Sequence, residues 1–357
     1  MKVALVYDRV NKWGGAERVL LALHEIWPDA PLYTAVYDPA RAPWANVFDV
    51  RPSFLQHFPF AKSHHELYPW LTQMAFEFFS FDGYDVVISV TSAEAKSIIT
   101  KPNTLHVCYC LTPTRYLWSG YEIYQETARG FIKTIHKWMT PRLRTWDLVA
   151  SSRPDYYIAI SNRVKDRIEK YYKRTVVKVI YPPVNTQGRA LGKGNYFLVV
   201  SRLVGYKRID AIIRAFGALK LPLVIIGQGH AEGELRAMAG ENVRFVTRHL
   251  TDEELATYYG DCRALVTLAD EDFGISTAEA LSAGKPVIGF WRSGTAEIVQ
   301  DNVTGCLIKE QTPEALMQAV QKLKAFDPKV IAQSVRRFDT YLFKQTMKRE
   351  IERLASL

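Results

Sequence analysis

The sequence predicts an α/β protein with two doubly wound parallel sheets. Three observations carry this. Short runs rich in Val and Ile alternate with helix-patterned stretches along the chain. The alternation is interrupted near the middle by a stretch of prolines and glycines. The length, 357 residues, exceeds what one ordinary core accommodates.

In the first half, KVALVY (2–7), YDVVISV (84–90), LHVCYC (105–110) and YYIAIS (156–161) read as buried strands, with helices at 16–26 and near 126–137. In the second half, strands are expected at 196–201, 221–227, 243–248, 264–269 and 285–290, again alternating with helical stretches. Between them, YPPVNTQGRALGKGN (181–195) reads as a linker. The expected domains are therefore 1–184 and 185–338, followed by a terminal helix over 339–357. Apolar residues at 342, 343, 347, 351 and 354 give that helix a stripe to bury. Two such domains leave a cleft at the carboxyl ends of their strands, where ligands of doubly wound folds bind.

Composition narrows the class. With 48% hydrophobic and 23% charged residues the chain is globular, not disordered. No run approaches the roughly 18–20 apolar residues that span a bilayer. The N-terminal apolar run meets Asp8 at once, which fits a first strand better than a signal peptide and leads us to expect a cytoplasmic protein. Cys108 and Cys110 have neither redox nor zinc spacing, so all four cysteines, with Cys262 and Cys306, are expected as reduced thiols.

The net charge of +9 is concentrated. From Arg129 to Lys178 there are thirteen Lys and Arg against four Asp and Glu, so this segment alone carries the whole excess. It fits an anionic lipid, nucleic acid or phosphorylated partner, or equally a solvated helix face. Residues 130–146, GFIKTIHKWMTPRLRTW, mix aromatic and basic residues as an interfacial helix would, and equally as a packed helix with a basic outer side.

The residues with chemistry to offer follow expected strands. In DEDFGISTAEALSAG, Gly274 permits close backbone approach, and the N–H groups of Ile275, Ser276 and Thr277 would open a helix toward an anion. Glu271 and Glu279, eight residues apart, could accept from sugar hydroxyls. The alternative is a plain capping box, Ser276-x-x-Glu279. In SRLVGYKRID, Arg202 and Lys207 are placed to hold a diphosphate, or form a solvated basic loop. Gly227 opens a third strand–glycine loop, and Gly14 and Gly15 precede the first helix without matching the dinucleotide fingerprint.

Taken in order, GGAERVL, SRLVGYKRID, IIGQG, EDFGISTAEALSAGKPVIG and GTAEIVQDNVTG resemble the retaining glycosyltransferases of family 4, with the GT-B fold, over nearly the whole chain. CYCLTPTRYLW and EDFG resemble the branch that uses GDP-mannose in bacterial polysaccharide synthesis. The resemblance implies catalytic roles for Arg202, Lys207 and Glu271, with Glu271 near the donor sugar. It implies ribose contacts for Glu279, and donor contacts at Gly14, Gly15, Gly227, Phe273, Gly274, Ile275 and Ser276. It also implies that the terminal helix crosses back to the first domain. One position departs: the branch carries His before Thr-Pro, and here stands Leu111, leaving that acceptor-side role vacant or filled elsewhere, with His106 and Tyr109 nearby.

The expected function is a retaining, metal-independent hexosyl transfer from a nucleotide sugar to a glycan or polyprenyl-diphosphate-linked acceptor, with peripheral contact to the inner face of the cell membrane. No cofactor beyond the donor is expected. The competing readings are a sugar-nucleotide epimerase of the same fold and a nucleic-acid-binding protein; no helix-turn-helix, zinc-finger or aromatic strand motif supports the latter.

Overall fold

Two all-parallel sheets organise the computed structural model, which describes residues 1–357 apart from 64–67, 128–129, 189–191 and 193, and, within helices, the side chains of 69, 126–127 and 130–136. Arg129, Lys133 and part of the expected linker thus lie outside the described residues. The chain forms two compact units, Met1–Tyr181 with Phe343–Leu357, and Pro182–Leu342.

The first unit has seven strands: β1 (Val3–Tyr7), β2 (Leu32–Thr34), β3 (Val50–Pro52), β4 (Val86–Thr91), β5 (Leu105–Cys110), β6 (Tyr156–Ala159) and β7 (Val176–Val179). Their order is β3-β2-β1-β4-β5-β6-β7. β1 and β4 are buried along their whole length, as strands covered on both faces must be, which is why they read as unbroken apolar runs. Its helices are α1 (Gly15–Ile26), α2 (Pro69–Glu77), α3 (Tyr121–Thr127), α4 (Gly130–Ser151) and α5 (Asn162–Tyr172). The helix expected at 126–137 is resolved into the end of α3 and the start of α4, and α4 runs on through Pro141.

The second unit has six strands: β8 (Phe197–Val200), β9 (Leu223–Ile226), β10 (Val243–Val246), β11 (Ala264–Thr267), β12 (Val287–Phe290) and β13 (Gly305–Ile308), in the order β10-β9-β8-β11-β12-β13. Its helices are α6 (Ile209–Leu219), α7 (Glu232–Ala237), α8 (Asp252–Asp261), α9 (Ile275–Ser282), α10 (Thr295–Ile298), α11 (Pro313–Gln321) and α12 (Pro328–Ser334); α13 (Thr340–Ala355) ends the chain. Phe197, Val199, Ile225 and Val266 from the sheet pack with Ile212, Phe216 and Leu316 from the helices in one core. In both units the winding reverses beside the first strand, between β1 and β4 and between β8 and β11. These are the switch points where loops diverge and leave room for a ligand.

Four strands escaped the sequence reading: β2, β3, β7 and β13. β2 and β3 have three residues each, too few to show a pattern, and β3 ends on Pro52, which is tolerated on a sheet edge. The expected stripe of α13 also needs one correction. Phe343, Met347, Ile351 and Leu354 are buried, but Leu342 is exposed, because positions 342 and 343 point 100° apart on a helix. None of the four cysteines is in a disulfide; Cys108, Cys110 and Cys262 are buried and Cys306 partly so.

Two charged contacts hold the first unit. Lys96, 1% exposed, donates from Nζ to Asp147 Oδ1 at 2.6 Å and to the Ala93 carbonyl at 2.5 Å. Asp147 also accepts from Thr114 Oγ1 and Trp118 Nε1, both at 2.7 Å. Burial alone would lower the Lys96 pKa, but Asp147 outweighs it and holds the ammonium well above its ordinary range. Glu350 on α13 accepts from Lys178 at 3.0 Å and Arg353 at 2.6 Å. Burial would raise its pKa, yet the hydrogen bonds from these cations depress it below the ordinary Glu range.

Replacing Asp147 by Asn should therefore strand a buried ammonium and cost about 3–5 kcal/mol in denaturant unfolding. For Glu350 the folded state binds its proton less tightly than the unfolded chain does. Its contribution is complete above the unfolded pKa and disappears as pH falls through the folded value. Acid melts of Glu350→Gln should thus lose the part of the wild-type pH dependence that lies below the ordinary Glu pKa.

Candidate functional site

The loop after β8 is shaped by missing side chains. Gly227 has φ 146°, and a Cβ there would lie 1.9 Å from the Ser201 carbonyl oxygen. A Cβ on Gly229 would lie 2.2 Å from the Leu203 carbonyl oxygen. The two loops zip together instead: Ser201 N–H donates to Ile226 O at 3.0 Å, Leu203 N–H to Gln228 O at 2.9 Å, and Ala231 N–H to Leu203 O at 3.0 Å. The glycine pair is thus required by backbone packing between loops. Ser201 Oγ is buried here with no hydrogen-bond partner among the described residues.

Arg202 lies in this zipped stretch and Lys207 follows it. Arg202 is exposed, and its Nη2 donates to the Tyr206 hydroxyl. Lys207 closes a 3-10 turn, Gly205–Lys207, with its Nζ 5.2 Å from the Tyr206 ring centroid. Tyr206 sits between the two cations, a role the sequence did not reveal.

The loop after the neighbouring strand β11 brings Glu271 to Lys207. Lys207 Nζ lies 2.6 Å from both Oε1 and Oε2 of Glu271, and both side chains are largely shielded from water. Charges so placed interact more strongly than at the surface. The loop is clamped from behind: Gly294 N–H donates to Glu271 O at 2.7 Å, and a Cβ on Gly294 would lie 2.5 Å from Asp272 O. Phe273 is buried, its ring 5.2 Å from that of Phe338, so it anchors the loop and only its backbone is left to offer a ligand.

α9 starts from Gly274, in the left-handed region at φ 106°, with no side-chain cap. The capping box considered for Ser276 and Glu279 does not form, because the cap position falls on Gly274. Glu279 instead accepts from the Tyr259 hydroxyl of α8 at 2.7 Å. The expected row of three helix donors is shorter by one: Thr277 N–H is taken by Gly274 O at 3.0 Å. Ile275 and Ser276 remain at the open helix end, where first-turn N–H groups have no intrahelical acceptor.

Gly14 and Gly15 belong to the first unit. Gly15 begins α1 and Gly14 precedes it in extended conformation. The helix end carries an acidic neighbour. Glu17, 1% exposed, lies in its first turn and accepts from Tyr7 OH at 2.6 Å, so an anion there would face a carboxyl group. At the same strand ends, Asp8 accepts from Thr91 Oγ1 at 2.7 Å and from the N–H groups of Ser92 at 2.7 Å and Ala95 at 2.9 Å. Next to it Glu94 accepts from Tyr116 OH at 2.8 Å and pairs with Arg9 at 3.4 Å. Burial raises the Glu94 pKa against the pull of Arg9. This cluster was also missed, since nothing in sequence spacing joins residues 9, 94 and 116.

Neither residue near Leu111 faces a ligand. His106 is fully buried, its Nε2 2.9 Å from Ser89 Oγ; burial, helped by Arg153, lowers its pKa to about 3 and keeps the ring neutral. Tyr109 is fully buried and donates to Ile180 O at 2.8 Å. Among the described residues no cluster of three or more His, Cys, Asp or Glu could hold a metal, and no helix is long and apolar enough to cross a membrane.

Residues 185–333 match the family model for glycosyl transferases group 1. The O-antigen chain mannosyltransferase C of Escherichia coli is 31% identical over 219 residues, 57% of this chain and 54% of that protein. The D-rhamnosyltransferase WbpZ of Pseudomonas aeruginosa is 29% identical over 214 residues, 55% of this chain and 54% of that protein. The chain thus spans about half the length of these curated relatives. Among solved structures, Anabaena Alr3699/HepE in complex with UDP and glucose superposes with a TM-score of 0.70 at 18% identity, covering 99% of each chain. Sucrose-phosphate synthase from Thermosynechococcus elongatus gives 0.72 at 16% identity over 100% of each. The fold, two parallel-sheet α/β Rossmann-like units, is that of GT-B glycosyltransferase structures.

The packing role of Gly227 is open to direct measurement. Gly227→Ala should destabilise the protein by about 2 kcal/mol or more, through backbone clash and strain. Gly217→Ala, in the last turn of α6 where no neighbour lies within 4 Å, should be stabilising by about 0.5–1 kcal/mol. Urea unfolding of the two variants separates these outcomes.

Proposed function

We propose that the protein is a retaining glycosyltransferase of family 4 that moves a hexosyl group from a nucleotide-diphosphate sugar, with GDP-mannose as donor, to a glycan or lipid-linked acceptor in cell-surface polysaccharide synthesis. The observation that carries this reading is the Lys207–Glu271 pair at the switch point of the second unit, beside Arg202 and the open end of α9. The match of residues 185–333 and the printed activities of the relatives support the same class.

Cleavage of an anomeric carbon–oxygen bond leaves an oxocarbenium-like sugar and a diphosphate that gains negative charge. Lys207 and the Arg202 fork stabilise that charge, and the N–H groups of Ile275 and Ser276 add the positive end of a helix. Glu279, held by Tyr259, accepts from the ribose hydroxyls, and Glu271 lies toward the sugar. The acceptor oxygen attacks the face from which the diphosphate departs, and a departing phosphate oxygen takes the acceptor proton. These residues supply the charge stabilisation without a metal. The first unit binds the acceptor, and the protein works at the cytoplasmic face of the membrane, where lipid-linked acceptors reside.

A thermal-shift series with GDP-mannose, UDP-glucose and ADP-glucose tests the donor. GDP-mannose should raise Tm most, since a ligand selective for the folded state stabilises by mass action. No shift with any of the three would overturn the reading. Lys207→Ala should lower turnover by about 10²–10³-fold, the usual effect of losing one such charge-stabilising donor. Turnover should be unchanged by EDTA.

A further inference from the structure

Exposed aromatic side chains gather on one part of the first unit. Phe54 and Phe58 lie with ring centroids 6.0 Å apart, Phe54 and Phe78 5.8 Å apart, and Phe58 and Tyr68 5.6 Å apart. Phe60 and Phe78 are 73% and 74% exposed, and Trp70 is 47% exposed. Isolated exposed apolar residues need no explanation, but a contiguous set marks a surface that meets something apolar. Phe60 adds an independent sign. Its φ is 58°, the left-handed region that bulky residues rarely enter, so the chain tolerates strain where it presents this ring.

The patch adjoins the basic helix α4. Glu77, at the end of α2, accepts from Arg153 Nη2 at 2.5 Å and from Trp146 Nε1 at 3.3 Å. α4 buries Thr140, Leu143, Asp147 and Ala150, and turns out Lys137, Trp138, Arg142, Leu148 and Val149. Its outer side is therefore apolar as well as basic, and the Arg142 guanidinium sits 4.4 Å from the Trp138 ring centroid. His57 and Lys62 are exposed beside the aromatic group. Among the described residues nearby, Glu77 is paired with Arg153, Asp147 with Lys96, and Asp82 with Lys101. Several of the cations counted in the sequence face inward instead. Arg167 is buried, Arg144 donates to Leu117 O, and Arg174 donates to Pro154 O.

We infer that Phe58, Phe60, Trp70 and Phe78, with Trp138 and the cations Lys62, Lys137 and Arg142, form a docking surface for an anionic lipid bilayer. Aromatic rings settle at the boundary between headgroups and acyl chains, and long cationic side chains reach anionic headgroups from the same depth. Rings interspersed with exposed cations suit a charged lipid surface better than a second copy of the chain, which would bring like charges together. This deepens the peripheral-membrane part of the proposed function and rests on that reading. It shifts the insertion from 130–146 alone to the aromatic loop and α2.

Vesicle sedimentation without donor or acceptor tests it, so its failure leaves the nucleotide-sugar reading standing. The protein should bind vesicles of mixed phosphatidylglycerol and phosphatidylcholine at low salt, and bind pure phosphatidylcholine far less. The double variant Phe60→Ser, Phe78→Ser, both at exposed positions, should bind the anionic vesicles about tenfold less or weaker, with its thermal melting unchanged. Blue-shifted tryptophan fluorescence on vesicle binding, reduced by Trp138→Phe, should accompany insertion. Undiminished binding by the double variant, or wild-type binding indifferent to lipid charge, would overturn the inference. So would a concentration-dependent dimer that the double variant abolishes.

Discussion

Parallel strands all end on the same edge of their sheet, and a sheet wound outward from its first strand must leave one gap where neighbouring loops part. Both units obey this constraint, and their polar chemistry lies in the gap. Lys207 and Glu271 are 64 positions apart in sequence, yet they meet because β8 and β11 are adjacent and finish side by side. Asp8 reaches Thr91, Ser92 and Ala95 for the same reason, from β1 to the end of β4. The geometry that packs each core thus also selects which loops become neighbours.

Once neighbours, the loops are kept apart or pressed together by side-chain size. Gly227 and Gly229 let the loop after β9 lie directly on the backbone of Ser201 and Leu203. Gly294 does the same behind Asp272 and presents Glu271 forward. In each case a glycine supports a charged residue elsewhere on the chain. The Phe273 ring, buried on Phe338, completes the clamp from the apolar side.

The legible parts of the sequence were those with local cause. Strands buried on both faces, such as β4 and β8, show as unbroken Val and Ile runs; β2 and β3 do not, because three residues leave no period to read. The loop positions of Arg202, Lys207, Glu271 and Gly274 were readable from strand ends followed by glycine and charge. Their partners were not. Tyr206 between two cations, Tyr259 beneath Glu279 and Arg9 beside Glu94 depend on which strands become adjacent and on where helices turn. The capping box at Ser276 failed for a local reason: a left-handed Gly274 took the cap position first. Part of the basic excess was not readable as surface or interior, because Arg144, Arg167 and Arg174 find acceptors or burial inside the unit.

The ammonium of Lys207 is already matched by both oxygens of one carboxylate. Any anion that approaches it therefore meets a tethered rival, present at the high local concentration that a folded backbone imposes. A small ion with one point of attachment gains little from the exchange. An extended ligand that also engages groups on the neighbouring loops of the same sheet edge can displace the carboxylate and recover the cost elsewhere. Resting neutrality of this kind favours guests with several points of attachment over those with one.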